Sequence, residues 1–446
     1  MQKIIVAVII LLSAAAFNGY AQNNIKFTEY NLKNGLHVIL QKDNTTPIVA
    51  VTVMYHVGSK NEEASRTGFA HFFEHLMFEG SPNIERGEYF KIVQHAGGEL
   101  NANTSFDRTF YYEIFPSNQL ELGLWLESER MLHLKVDSVG VETQRKVVKE
   151  ERSQSLDNQP YGRLWEETFK RAFTVHPYNW MPIGSAQYID KATISEFMDF
   201  YKTYYVPNNA VLSIAGDIDI NDTKELVEKY FADIPVGTKE LYRPDAVEPE
   251  KTGEVKDTVY DNVQLPAIVH AYHIPAMGTE DYYAIEMLTT LLSGGQSSKL
   301  YKTLIDVEQK ALFVGAFPAG LEDPGLFVTV GIANAGVDAS ALDESIDEII
   351  ADTRNNLISE TEYQKLQNQV ESSFVNSNNT AAGIAENLAN YFMFYHDTNL
   401  INTELDRYMK VTREDIKRAA NKYLVKKNRL VLYYLPNSLN QNGEEK

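Results

Sequence analysis

Two histidines and a glutamate fall within five consecutive residues of this sequence. His71, Glu74 and His75 sit in a stretch whose apolar residues recur at helical spacing. Residues four apart lie one turn apart on the same helix face, so both imidazoles can reach one ion. Catalytic zinc sites use histidine nitrogens and keep a position open for water, whose proton a nearby carboxylate can accept. The motif therefore predicts a hydrolytic zinc site with two histidine ligands and Glu74 as general base.

The order of these residues, His-x-x-Glu-His, is rare by chance, and its two histidines alone do not complete a zinc site. The chain has 10 His and 61 acidic residues among 446, so random placement gives about 0.03 matches of a histidine pair enclosing an acid in this order. Two histidines leave zinc under-coordinated, and a third protein ligand is required. Because the chain has no Cys, a carboxylate or another histidine must supply it. From the residues alone, all the acids from Glu121 to Glu151 qualify.

The N-terminus is typical of an exported protein. Lys3 precedes the apolar run Ile4 to Phe17, and the small residues Gly19 and Ala21 follow. This pattern predicts a signal peptide over residues 1–21 and an exported, periplasmic location. The alternative is a membrane anchor, but the run is shorter than the roughly 20 residues that span a bilayer. No later stretch is long and apolar enough, so no membrane span is expected after cleavage.

Composition excludes several classes of function. The content of 44% hydrophobic and 23% charged residues is that of a globular protein. A net charge of −20 argues against a nucleic-acid partner, because phosphate binding needs a basic surface. The absence of Cys excludes thiol catalysis and thiolate metal ligands.

The strands and helices that must position the motif follow an order that occurs twice along the sequence. Strand patterns at residues 36–40, 48–53, 100–104 and 109–115 surround the histidine helix, and helical patterns follow. After a segment rich in Pro, Gly and charge, the α+β order restarts, which indicates an internal duplication. We therefore divide the chain into a signal peptide (1–21), an N-terminal metal-binding domain (22–235), a linker (236–257) and a C-terminal domain (258–446).

Nearly all of the mature chain resembles the pitrilysin, insulin-degrading enzyme and mitochondrial processing peptidase family. The resemblance is carried by HFFEHLMFEGS at His71–Ser81, GGELNANTSFDRTFYYE at Gly97–Glu113 and RKVVKEER at Arg145–Arg152. It implies two similar α+β halves, each a mostly antiparallel sheet packed with helices, facing each other across a chamber. It also implies a zinc endopeptidase that hydrolyses unfolded peptides, with one zinc ion per chain.

The resemblance implies that Glu151 is the third metal ligand. Its neighbour Glu150 is the competing choice, and a slip of one residue turns a helical side chain by about 100°. The apolar pair Val147 and Val148 favours the register in which Glu151 ligates the metal.

The resemblance also implies a strand on which substrates pair by β-augmentation. In this sequence it is the run Asn101-Ala102-Asn103-Thr104, with Asn101, Ala102 and Asn103 as the expected substrate-binding residues. The alternative for Asn101 is an ordinary turn or edge-strand residue.

One departure from the family pattern lies in the metal-binding half. The family often has a second Glu seven residues before the third ligand, where this chain has Gln144. Because Gln cannot act as a base, any electrostatic help from that position is lost or falls to Glu142.

The other departure concerns substrate binding in the C-terminal half. Many relatives carry an Arg and, seven residues later, a Tyr that hold the substrate and the developing oxyanion. This chain has Ile305 and then Leu312 or Phe313. We therefore expect a heterodimer in which a related subunit supplies the Arg/Tyr pair, with a homodimer as the fallback. Alternatively, Tyr301 or Lys299 substitutes within the chain.

Two functions of other classes compete with a peptidase. A non-catalytic scaffold or assembly subunit accords with the missing Arg/Tyr pair, but it has no chemical need for the acid at Glu74. Metal storage is a poor fit, because one closed site beside a catalytic-type base buffers little metal. The complete motif favours the peptidase.

Overall fold

The computed structural model describes residues 24–440, and the predicted signal peptide lies outside them. We call the part containing the first sheet the N-terminal half and the part containing the second sheet the C-terminal half. The first sheet contains β1 (Phe27–Asn31), β2 (His37–Lys42), β3 (Ile48–Tyr55), β4 (Glu99–Thr104), β5 (Thr109–Pro116) and β6 (Ala210–Gly216). The second contains β7 (Val255–Asp261), β8 (Ala267–His273), β9 (Ala311–Ala319), β10 (Leu326–Ala333) and β11 (Arg429–Pro436).

Helices connect and cover the strands in both halves. The N-terminal half has α1 (Phe69–Leu76), α2 (Tyr89–His95), α3 (Leu120–His133), α4 (Ser138–Arg152), α5 (Leu164–Ala172), α6 (Ala186–Lys191), α7 (Ile194–Tyr204) and α8 (Ile220–Phe231). The C-terminal half has α9 (Glu280–Ser293), α10 (Ala339–Asn355), α11 (Glu360–Ser377), α12 (Ala381–Tyr395), α13 (Leu400–Lys410) and α14 (Arg413–Tyr423). Two π-helical turns follow α4 and α9, at Ser153–Asp157 and Tyr301–Val307.

The two sheets share one topology. The strand orders are β1-β2-β6-β3-β5-β4 and β7-β11-β8-β10-β9. In each sheet one pair is parallel, β2 with β6 and β7 with β11, while the other neighbours are antiparallel. Apart from the extra strand β1, each strand of the first sheet has a counterpart in the second. The predicted α+β fold of two similar, mostly antiparallel halves is thus confirmed.

One helix of each half packs on the sheet of the other half. In α12 of the C-terminal half, Ile384 and Leu388 pack with Met54 of the first sheet. In α5 of the N-terminal half, Phe169 packs with Val269 of the second sheet. The two halves therefore share hydrophobic cores. The chain passes from α4 through the π-helical turn to α5, which packs on the C-terminal sheet.

One predicted boundary region contains regular structure. The last residues of the predicted linker form the start of β7, which begins at Val255. This edge strand buries only Val259 and exposes most of its other side chains, so it lacks the alternating pattern that marks a strand in sequence. Within residues 24–440, no helix has both the length and the apolarity needed to cross a membrane.

Candidate metal centre

Helix α1 is held in place by its aromatic face. Phe69, Phe72 and Phe73 are buried, and Phe72 stacks on Phe197 of α7 with ring centroids 4.6 Å apart. Full burial of one such ring stabilises the fold by roughly 1.5–3 kcal/mol. Anchoring this face leaves the polar residues of the motif on the opposite, partly exposed side of the helix.

Three possible ligand atoms from two helices converge beside α1. His71 Nε2 lies 3.5 Å from Glu151 Oε1, and His75 Nε2 lies 3.1 Å from Glu151 Oε2. One ligand atom from each of the three residues lies within 4.8 Å of the other two. Glu151 belongs to the last turn of α4, 76 residues after His75. The structure thus brings together the residues that the sequence analysis selected as metal ligands.

The chemistry of this donor set fits zinc. Two imidazole nitrogens and one carboxylate form the protein ligands of known catalytic zinc sites, which leave a further position open. Hydrogen bonds with His71 and His75 hold the pKa of Glu151 well below its ordinary value, so the carboxylate is charged at neutral pH. The side chain of Glu151 is 41% exposed, which leaves the site accessible to water and to a peptide.

The competing ligand, Glu150, points to a different neighbour. It is exposed, and its Oε1 accepts a hydrogen bond from Nε2 of Gln154 at 2.6 Å. Adjacent residues of a helix point about 100° apart, which is why only one of the two glutamates reaches the histidines.

Glu74 is oriented by Thr104 of β4, a residue for which no role beside the metal was predicted. The hydroxyl of Thr104 donates a hydrogen bond to Glu74 Oε2 at 2.6 Å. Thr104 is the last residue of the strand that also contains Asn101 and Asn103. Its position in that strand is the sequence feature from which a place near the site could have been predicted.

Strand β4 is a free edge of the first sheet. Among residues 24–440 it pairs only with β5, so its other side has backbone groups without a partner there. Asn101 and Asn103 are exposed and Ala102 is half-buried, and Asn101 Oδ1 accepts the N–H of Ala102 at 2.9 Å. Because β4 also packs against α1, an extended peptide added to this edge would run close to the histidines.

Gln144 makes a contact that connects α4 with the end of α1. Its Nε2 donates a hydrogen bond to Oε1 of the buried Glu79 at 2.6 Å. Arg86 donates to the other oxygen of the same carboxylate. The position where relatives often have a second glutamate therefore holds the donor for another carboxylate.

The C-terminal half contains a second group of possible ligands, but it is an ion-pair network. His270 Nε2 lies 2.6 Å from Asp343 Oδ1, while Arg429 donates to both oxygens of Asp347. The guanidinium NH1 lies 3.5 Å from His270 Nδ1. Because this buried cation faces the imidazole, a metal ion there would be repelled.

Comparisons with known proteins place the chain in a family. Residues 37–178 match the family model described as insulinase, peptidase family M16, and residues 191–370 match the peptidase M16 inactive domain. The zinc protease PqqE of Helicobacter pylori is 32% identical over 93% of this chain and 94% of its own length. The chain belongs to peptidase family M16.

Solved structures agree with this assignment of the M16 chain. A protease from Helicobacter pylori matches with a TM-score of 0.89 at 30% identity, over 92% of this chain and 100% of that one. The periplasmic protease PqqL from Escherichia coli matches with a TM-score of 0.74 at 18% identity, over 93% of this chain and 48% of that one. The second likeness shows the fold alone.

The residues found where an Arg/Tyr pair was expected lie in the second π-helical turn and at the start of β9. Ile305 is partly buried in the π-helical turn, while Leu312 and Phe313 of β9 are 62% and 43% exposed. Of the substitutes considered within the chain, Lys299 already donates to Asp352 at 2.7 Å, which leaves Tyr301 as the freer one.

Proposed function

We propose that this M16 chain is a zinc-dependent endopeptidase that hydrolyses unfolded peptides in an exported compartment, as the metal-bearing subunit of a pair. The observation that carries the proposal is the convergence of His71, His75 and Glu151 from two separate helices, with Glu74 on the same helix as the histidines. His71, His75 and Glu151 would hold one zinc ion. Zinc bound there supplies a Lewis acid that polarises the scissile carbonyl and makes an attacking water more acidic.

The side chains around the metal would move the proton. Glu74 Oε1 accepts a proton from the attacking water and delivers it to the leaving nitrogen. Thr104 holds the other oxygen of Glu74, so the base keeps one orientation during both transfers.

The edge strand β4 would bind the substrate. Main-chain hydrogen bonds to Asn101, Ala102 and Asn103 accept any sequence, because they read the backbone of an extended peptide. Most strands of a folded protein already pair within their own sheets, whereas an unfolded chain has extended segments that are free to pair with this edge, which supports a preference for unfolded chains.

The C-terminal half supports the pairing. Ile305, Leu312 and Phe313 have no side-chain hydrogen-bond donors, so these positions lack the oxyanion donors expected opposite the metal. A related subunit with an Arg/Tyr pair would supply them. The same absence favours the second candidate, a weakly active or non-catalytic scaffold subunit, which the experiment below distinguishes.

Metal analysis combined with peptide cleavage tests the proposal. Purified protein should contain about one zinc ion per chain, and a His71→Ala, His75→Ala double variant should contain none. Glu74→Gln should retain the zinc and lose several orders of magnitude of cleavage, because the base and the metal act together. Retained cleavage in this variant would refute the role of Glu74, and zinc without any cleavage in the wild-type pair would favour the scaffold.

Export can be tested separately. The apolar N-terminal run supports it, and the mature protein from the exported fraction should begin at Gln22.

A further inference from the structure

The start of helix α1 is capped by a carboxyl group from outside the helix. Gly68 precedes the helix and has no side chain that could cap it. Glu62 Oε2 accepts the N–H of Gly68, and Oε1 accepts the N–H of Ala70, both at 2.8 Å. The first N–H groups of a helix have no acceptor within the helix, so the two oxygens of Glu62 satisfy donors that would otherwise lack a partner.

Packing does not explain this carboxyl group. Glu62 is 3% exposed. Burial raises its pKa to about 8, although the N–H groups of Ala70 and Gly68 oppose the rise. An apolar residue of similar size would fill the space without the cost of burying a polar group. The contacts made by the two oxygens are therefore the reason that a glutamate suits this position.

The start of α1 and the end of α4 both contact the same backbone residue, Gly184. A Cβ atom on Gly184 would lie 2.3 Å from Gly68 Cα, so the two backbones are in close contact. The carbonyl of Gly184 accepts a hydrogen bond from Arg152 at 2.8 Å, and Arg152 follows Glu151 directly. Both ligand-bearing helices are thus fixed to the same piece of backbone.

A small movement of this clamp would reach the metal ligands. Ala70, which Glu62 holds, immediately precedes His71 in the first turn of α1. Metal–ligand distances are defined to within about 0.2 Å, so a helix start that shifts or frays places the imidazole outside the bonding range.

We propose that Glu62 is a positioning residue that sets His71 against Glu151 by clamping the first turn of the zinc-binding helix. The inference rests on the proposed zinc site, but it concerns a residue that touches neither metal nor substrate. The competing explanation is a helix cap that only stabilises the fold. That explanation predicts lower stability with unchanged metal affinity.

The test compares Glu62→Gln with the wild-type protein and with Glu63→Gln, a matched change at the exposed neighbouring residue. The glutamine keeps one acceptor oxygen but turns an NH2 group toward a backbone N–H. We expect the zinc affinity of Glu62→Gln, measured by competition with a chelator, to fall about 10-fold. The visible absorption of the cobalt(II)-substituted protein should shift with it, while Glu63→Gln should match the wild type in both measurements.

Hydrogen exchange of the metal-free protein gives an independent readout of the clamp. The amides of Gly68 and Ala70 should exchange faster in Glu62→Gln, because the side chain that accepts both N–H groups is replaced by a weaker acceptor. Unchanged zinc affinity and an unchanged cobalt spectrum in folded Glu62→Gln would overturn the proposal, whatever the loss of stability. If this variant does not fold, the same two results in Glu62→Asp, which keeps the carboxyl group but shortens its reach, would overturn it.

The two proposals can fail separately. A wild-type protein that binds no zinc would refute the proposed function. If the wild type binds zinc and Glu62→Gln binds it with the same affinity, only the role of Glu62 is refuted.

Discussion

Gln144 donates its side-chain amide to the buried carboxylate of Glu79 at 2.6 Å, two helical turns before Glu151 on α4. Glu79 lies just beyond the end of α1. The contact therefore connects the helix that provides the two histidines with the helix that provides the glutamate. A second carboxylate at position 144 would have no donor to offer Glu79.

This geometry predicts that restoring the family's usual glutamate is harmful. In Gln144→Glu an acceptor replaces the donor that faces Glu79, and the unfolding free energy of the metal-free protein should fall by about 1–3 kcal/mol in urea titrations. Zinc affinity should fall as the helices separate. Adding Glu79→Gln exchanges donor and acceptor, and it should recover much of both losses. A Gln144→Glu variant that equals or exceeds the wild type would contradict this interpretation.

Neighbouring glutamates on α4 provide a matched test of the third ligand. Glu151→Gln should lower the zinc affinity by more than about 100-fold, because changes even behind a ligand cost 10–100-fold. Glu150→Gln removes the same charge one residue away and should leave the affinity unchanged, since its carboxylate contacts Gln154. Equal losses in the two variants, measured by chelator competition, would mean that only the local charge matters.

The hydroxyl of Thr104 should matter for turnover and not for the metal. Thr104→Val removes the donor to Glu74 while keeping the side-chain shape, and kcat should fall about 10-fold, as expected for one hydrogen bond to a charged group. Zinc content should stay at the wild-type level. Thr104→Ser retains a hydroxyl and should recover most of the rate. If valine and serine give the same kcat, the hydrogen bond has no catalytic importance.

The local parts of this site could be predicted from the sequence, and the long-range parts could not. His71 and His75 are visible because their spacing of four acts within one helix. Glu151 could be selected only through the family resemblance, since its meeting with the histidines is a tertiary contact. Thr104 and Glu62 reach α1 from a strand end and an irregular turn, where no periodic pattern identifies a partner.

The fold shows the same division. Buried strands such as β2 and β3 contain apolar runs and were predicted close to their observed bounds. The exchange of α5 and α12 between the halves was not predicted. An apolar helix face indicates that a helix is buried, but it does not indicate which sheet covers it.

An acidic loop of the C-terminal half is predicted to make stability depend on acid pH. Lys60 is buried between Asp107, Glu322 and Asp323, and His56 lies 2.9 Å from Glu322. Although burial opposes it, the contacts with His56 and Lys60 lower the pKa of Glu322 to about 2 from an ordinary 4.5. Hydrogen bonding to His176, together with the charge of Lys60, lowers the pKa of Asp323 to about 2 from 3.8.

The sign of the effect follows from these lowered values. A carboxyl group with a depressed pKa in the folded state stabilises it above the unfolded pKa, and this contribution disappears as the pH falls toward the folded pKa. The thermal midpoint should therefore drop between about pH 5 and pH 2, and it should drop less in a Glu322→Gln, Asp323→Asn variant. The exposed pair Asp306→Asn, Glu344→Gln serves as the control and should behave like the wild type. Parallel curves for the loop variant and the wild type would contradict the prediction.

The last prediction concerns the subunit that completes the site. Hydrolysis builds negative charge on the scissile carbonyl oxygen, and the side chains at Ile305 and Leu312 cannot donate to it. Loss of one oxyanion donor typically costs about 10²–10³ in rate, so the purified chain should cleave unfolded peptides slowly. Adding a related subunit that carries the Arg/Tyr pair and lacks the His-x-x-Glu-His motif should raise kcat by about that factor.

The control for this experiment is the same partner with its Arg and Tyr replaced, which should bind the chain without raising the rate. That comparison separates supplied donors from a general stabilisation by association. If the chain alone cleaves as fast as the mixture, the partner is unnecessary, and Tyr301 becomes the donor to replace next. Cleavage that then falls about 10²-fold in Tyr301→Phe, at unchanged zinc content, would assign the oxyanion donor to this chain itself.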